Sequence, residues 1–213
     1  MIPDAPLRFF NPYAEIEFLR NRLPHWDQLN ATYFVTFRLA DSIPRALREQ
    51  WIWERDLWLK QNPSPHTAAQ EREYHERFSS QMETLLDSGI GCCALRQREA
   101  AGIVAGALHH FEGVRSHQLA FVIMPNHVHA LFATLNGVAL IDLVQTWKSY
   151  TAHKLKPLLG DKWPGWQKDY FDRLVRDEKH FGRCVRYIRR NPEKARLPDC
   201  DYTLFESERA KMY

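Results

Sequence analysis

Apolar and polar positions alternate through residues 31–39 (ATYFVTFRL), a β-branched and aromatic stretch, and this period of two predicts a strand. The pattern then changes. From Pro44 through LREQWIWERDLWLKQN the chain reads as a helix, with Asp41 and Ser42 as candidate caps, until NPSPH breaks it. Further helices are expected over 67–86, stopping at Gly89, and over 96–112, stopping at Gly113. The run LAFVIM (119–124) is wholly apolar, as in a buried strand; Pro125 and Asn126 interrupt it, and HVHALFA resumes as a second strand. A helix over 139–155 closes at Pro157 and Gly160, and WQKDYFDRLV supplies a short last strand. A strongly basic helix then runs over 177–190, ended by the pair Asn191-Pro192.

That order predicts an α+β fold: a ferredoxin-like split βαβ sheet with an enlarged helical crossover and an additional C-terminal helix. The length suits a single domain over 1–213, with its core over about 23–197, the helical elaboration over about 43–88 and a tail over 199–213.

Composition narrows the class. Hydrophobic residues at 45% and charged residues at 26% exclude wholesale disorder and collagen-like structure. No apolar run approaches the roughly 18 residues of a membrane span, and MIPDAPLRFF has no basic stretch followed by an apolar one. The expectation is a cytoplasmic protein without a membrane partner. Cys92, Cys93, Cys184 and Cys200 form neither a CxxC pair nor a disulfide framework, which fits a reducing compartment.

Net charge is only +3, yet residues 140–198 carry 14 Lys and Arg against 7 Asp and Glu. Such a basic segment suits a phosphate-rich partner, although a solvated helix face has the same appearance. Of the tryptophans on the first helix, Trp51 and Trp58 share a face as a heptad pair, which favours packing; Trp53 points elsewhere, toward an interface or a base.

Candidate chemistry centres on His127 and His129. On a strand, two residues two apart face the same way, roughly 6 to 7 Å apart at Cα, and can share one metal ion. By itself an HxH pair is more often hydrogen-bonded packing. Tyr187 and Asn191 are four apart near the end of the basic helix, about 6 Å apart on one face, so a hydroxyl and an amide oxygen can address one phosphate. Arg183, Arg186, Arg189 and Arg190 surround them, where helix-dipole stabilisation also favours cations. Lys148 is a weaker candidate for a DNA contact. Tyr150 and Tyr170 compete with Tyr187 only distantly, and Tyr170 reads as packing.

The blocks VIMPNHVHALF, WKSYTAHKL and WQKDYFDRLVRDEKHFGRCVRYIRRNPEKARL, with LPHWDQLNATYFVTFRLADSIP upstream, closely resemble the REP-associated tyrosine transposases, a branch of the HUH single-tyrosine transposases. The resemblance covers roughly residues 23–197. It implies that His127 and His129 ligate a metal, that Asn191 is the third protein ligand through its side-chain oxygen, and that Tyr187 is the nucleophile. Two nitrogens and an amide oxygen suit Mg²⁺ or Mn²⁺. The implied reaction cuts and rejoins single-stranded DNA near hairpins or short palindromic repeats through a 5′-phosphotyrosine link, by a monomer, with a homodimer as the alternative. Three rivals differ in chemistry: a domesticated hairpin-binding protein without turnover, a metal-dependent nuclease in which water attacks, and a fold in which the His pair is packing alone.

Overall fold

The computed structural model describes residues 7–14, 17–20, 24–63 and 66–213. The first six residues, the start of the expected core at residue 23, and Ser64 and Pro65 of the expected helix break lie outside these. Two short strands, β1 (Glu17–Arg20) and β2 (Pro24–Asp27), pair with each other. There follow β3 (Thr32–Arg38), α1 (Arg45–Gln61), α2 (Ala68–Tyr74), α3 (Ser80–Asp87), α4 (Arg98–His109), β4 (Ser116–Ile123) and β5 (His127–Thr134). The chain continues as α5 (Leu140–Leu159), β6 (Phe171–Leu174), α6 (Glu178–Lys194) and β7 (Thr203–Glu206). A π-helical turn, His75–Ser79, joins α2 to α3.

The main sheet is antiparallel and five-stranded in the order β6-β3-β5-β4-β7. Leaving out β7, this is the strand order of a split βαβ fold: β5 lies between β3 and β4, and β3 between β5 and β6. The protein is therefore α+β, as the sequence pattern predicts.

Alternation along the strands divides the molecule into two layers. Tyr33, Val35 and Phe37 of β3, with Val128, Ala130 and Phe132 of β5, enter the larger core beneath α4 and α5. Residues of opposite parity face the other way, where Val122 and Leu131 meet Phe181, Val185 and Ile188 of α6. Every residue of β5 is buried, so its outward-facing histidines are covered as well. Above the sheet, α1 to α3 have a small aromatic core in which Trp58, 3% exposed, touches Tyr74 and Phe78. Trp51 shares this cluster through Phe78, whereas Trp53 is 66% exposed, as their helical spacing foretold. Among the described residues, no helix is long and apolar enough to cross a membrane.

Several local expectations need correction. Asp41 and Ser42 do not cap α1: Pro44 occupies that position without a side-chain bond. Asp41 instead accepts from the Cys92 amide at 2.7 Å, and the Ser42 hydroxyl bonds the Leu39 carbonyl at 2.8 Å. The basic helix does not end at Asn191-Pro192 but runs through both to Lys194. A proline in the last turn removes only the bond to the carbonyl four residues back, while Ala195 and Leu197 still bond the carbonyls of Asn191 and Pro192. The strand anticipated from residue 119 starts at Ser116, since the polar Ser116, His117 and Gln118 belong to it ahead of a bulge between Gln118 and Ala120.

Gly91 ties the helical layer to the sheet. It has φ of +98°, and a Cβ there would stand 2.8 Å from the Asp41 carbonyl oxygen. A Gly91→Ala protein should lose about 1–3 kcal/mol in urea unfolding, from combined backbone strain and overlap.

Candidate functional site

The turn before β5 is held by the backbone on three sides. Leu39 and Leu95 donate to the carbonyls of Asn126 and Pro125, and Met124 donates to that of His127, at 2.8–3.0 Å. The side chain of Asn126 is 1% exposed, and its amide nitrogen donates to the carbonyls of Leu86 at 3.3 Å and Ile90 at 3.0 Å. With those hydrogens committed, its oxygen must accept from His127 Nδ1, 2.7 Å away. The proton of His127 thus sits on Nδ1, and its Nε2 presents a lone pair.

That lone pair faces His129. The two Nε2 atoms lie 3.0 Å apart, and His129 Nδ1 lies 2.7 Å from the Thr36 hydroxyl, which can donate or accept. Strand register brings Thr36 there, since Thr36 pairs with His129 and Arg38 with His127 across β3 and β5. Burial, then the charges of Arg38 and Lys194, lower the His127 pKa to about 3. His129 is also held well below the usual imidazole range, by burial and then by His127 and Lys194. Both rings are therefore neutral at pH 7, as metal ligands must be.

The spacing also fits an ion. Two nitrogens at right angles about a cation, each about 2.1 Å from it, stand about 3.0 Å apart, the separation of the two Nε2 atoms. Among the described residues no group of three or more His, Cys, Asp or Glu gathers, so a further protein ligand to the pair would have to come from another residue type. Asn191 is such a residue. It is 1% exposed, and among the described residues its amide has no close partner besides the Tyr187 hydroxyl. A buried amide with capacity to spare can accept a further polar partner.

Tyr187 stands one helical turn before Asn191. Its hydroxyl is 3.4 Å from His129 Nε2, and its ring meets those of His129 and Phe34 edge-on at centroid distances of 5.1 and 5.6 Å. Burial, then the charges of Glu83 and Asp87, raise its pKa, so the resting phenol is neutral. Glu83 and Asp87 project from α3, where Asp87 pairs with Lys194 of α6 at 2.8 Å and Glu83 lies 3.9 Å from the same ammonium.

The remaining candidates separate. Arg183 precedes Tyr187 by one turn and lines the same cleft; Arg190 is exposed one turn beyond it. Arg189 turns away to bond Glu206 at 2.9 Å and the Ala210 carbonyl at 3.3 Å, and Arg186 is exposed and lies over Gly182. Lys148 is not a free surface cation: its ammonium donates to the carbonyls of Gln167 and Lys168 at 2.8 and 2.7 Å, and burial lowers its pKa to about 8. It holds the approach to β6. Tyr150 is half exposed on α5, across the sheet from the histidines, while Tyr170 is a packing residue.

Asn126, Thr36, Phe34, Glu83, Asp87 and Lys194 were not singled out from sequence. Only Asn126 left a trace, as the residue interrupting two strands; the others depend on strand register and on where α3 lands.

His180, at the start of α6, adds a pH response. Its Nδ1 accepts from the Arg176 amide at 3.2 Å, and burial, followed by the charges of Arg173, Arg183 and Arg176, lowers its pKa to about 4. Below about pH 6.5 the unfolded chain binds this proton more readily than the folded one. The contribution of neutral His180 is thus present above pH 6.5 and lost as pH falls toward 4. Stability of wild type minus that of His180→Gln, measured by urea unfolding, should shrink between pH 7.5 and 5; a constant difference would contradict this.

No protein-family profile matches the chain, and no curated protein matches it either. Among solved structures, one similar to it is that of a REP-associated tyrosine transposase bound to a REP hairpin. The similarity extends over 84% of this chain and 73% of that one, at 14% identity and a TM-score of 0.43. It is a distant structural likeness.

Proposed function

We propose that this protein is a metal-dependent DNA strand transferase of the single-tyrosine HUH type, acting on single-stranded DNA near hairpins. The observation that carries the reading is the convergence of the Tyr187 hydroxyl on His129 Nε2 at 3.4 Å, with His127 Nε2 3.0 Å from the same atom. A tyrosine nucleophile and a histidine pair of metal-ligand geometry meet at one point on a basic cleft.

In this reading His127, His129 and Asn191 hold Mg²⁺ or Mn²⁺, which would polarise the scissile phosphate and stabilise the departing oxygen. Tyr187 attacks phosphorus, losing its proton, and the 3′-oxygen leaves as a hydroxyl. The product is a 5′-phosphotyrosine link that keeps the energy of the phosphodiester. A second 3′-hydroxyl can then reverse the step and join strands without ATP. Asn126 and Thr36 orient the two imidazoles, and Phe34 fixes the tyrosine ring. One tyrosine beside the histidine pair implies one strand cut at a time, and the resemblance favours a monomer over a homodimer as the acting unit.

The test is incubation with labelled, hairpin-bearing single-stranded DNA and Mn²⁺ or Mg²⁺, followed by denaturing protein electrophoresis. A labelled protein band that a chelator suppresses is the expected result. Metal-dependent cleavage without a band would favour attack by water, and hairpin binding without cleavage would favour a domesticated binding protein.

A further inference from the structure

The catalytic reading leaves unused a cleft of about 530 Å³ that runs from His129 and Tyr187 outward beneath the helical layer. Its floor is set by strand register. Thr36 of β3 lies between His129 of β5 and Phe171 of the edge strand β6, and in the adjacent row Phe34 pairs with Arg173. A cross-strand row therefore leads from the histidine pair to the sheet edge, over two strand spacings or about 10 Å. Its roof is one face of α1, since Arg48, Trp51 and Arg55 follow at helical spacing and all line the cleft.

The chemistry along this path is uneven. Arg38, Arg48, Arg173 and Arg183 all line it, and no ion pair holds any of them among the described residues. Arg38 is lowered to about 10 by burial and then by the nearby charge of Arg48. Asp56, Glu83 and Asp169 also line the cleft, with Asp56 paired to Arg55, so the guanidinium groups outnumber the carboxylates and the concave space favours an anion. At the sheet edge Phe171 remains 37% exposed, with the Arg173 guanidinium 5.2 Å from its ring centroid. An exposed ring joined to an arginine offers a face to a base and a charge to its phosphate.

We infer that the cleft is the path of the single-stranded flank: one strand leaves the scissile phosphate across β6 and beneath α1, with a base on Phe171 and its phosphates on Arg48 and Arg173. This rests on the proposed strand-transfer reading and adds the route and the residues that hold the flank. It also gives the helical layer a function, because α1 roofs a channel that the sheet alone would leave open.

Binding of a labelled oligothymidylate, read by fluorescence anisotropy in the Tyr187→Phe background, tests the route without turnover. Phe171→Ala should weaken binding roughly tenfold and Phe171→Trp should restore it. Arg48→Gln and Arg173→Gln should each lower the slope of log affinity against log salt by roughly 0.7. Lys156→Gln, on the outer side of α5, should change neither quantity. Unchanged affinity and slope in the cleft variants, each with wild-type thermal stability, would overturn the inference. The same substitutions with Tyr187 intact separate the two readings. If the covalent band forms normally in every cleft variant, the flank lies elsewhere and the strand-transfer reading stands. If no protein forms the band yet the cleft variants bind the oligomer more weakly, the path stands and the strand-transfer reading falls.

Discussion

Tyr187→Phe should abolish the covalent protein–DNA band and lower metal-dependent strand cleavage by roughly 10³-fold or more, as expected when a nucleophile is removed. The fold should not change. Phenylalanine keeps the ring that packs edge-on against Phe34 and His129, and the lost hydroxyl makes only weak contacts, to His129 Nε2 at 3.4 Å and to the side chains of Asn191 and Glu83. Thermal unfolding should therefore move by no more than a surface substitution would move it, within about 0.5–1 kcal/mol. Cleavage that survives at wild-type rate in a well-folded Tyr187→Phe protein would show that water attacks and would remove the tyrosine from the chemistry. Cleavage lost together with stability would instead assign the hydroxyl a packing role.

Asn126→Ala should weaken Mn²⁺ binding by roughly 10- to 100-fold in calorimetric titration, although Asn126 is not proposed to touch the ion. The amide oxygen fixes the His127 tautomer, and the amide nitrogen serves two carbonyls at 3.3 and 3.0 Å that link the site to the end of α3. Each buried carbonyl left without a donor costs on the order of 1–3 kcal/mol, so the same variant should unfold in less urea. Asn126→Asp separates the two effects. A carboxylate still accepts from His127 Nδ1 but gives nothing to Leu86 and Ile90, so it should keep most of the metal affinity while remaining destabilised. Equal Mn²⁺ affinity in all three proteins would show that the histidine pair does not bind the metal.

The sheet was legible from two signals: a period of two in β3, and a short apolar run in β4, which is buried on both faces. In β3 the alternation of Tyr33, Val35 and Phe37 with Phe34, Thr36 and Arg38 is both the sequence pattern and the division between layers. The histidine pair was legible for the same reason: residues two apart share a face, and strand register then supplies Thr36 as neighbour. Tyr187 and Asn191 were legible as positions on one helical face. Their helix was not fully read, since Asn-Pro ordinarily ends a helix, whereas here Asn191 and Pro192 are both buried within the last turn and packing outweighs the local preference. The carbonyl contacts of Lys148 were not legible, because an amphipathic lysine looks the same in sequence whether its ammonium meets water or two carbonyls. Glu83 and Asp87 could not have been chosen, because nothing in a helical run of residues 80–87 states which distant helix it will meet.

The last strand went unread, and it bears on how the protein can be handled. β7 pairs Thr203–Glu206 with Ile123–Ala120 of β4, and Ala210 beyond it is fully buried in the layer beneath α6. A chain cut after residue 198 would leave the β4 backbone facing solvent along that register, with apolar side chains on both sides of it. An edge of that kind recruits strands from other molecules. A shortened protein should consequently be prone to self-association and precipitation, and a loss of DNA processing in it would report on solubility before it reported on chemistry.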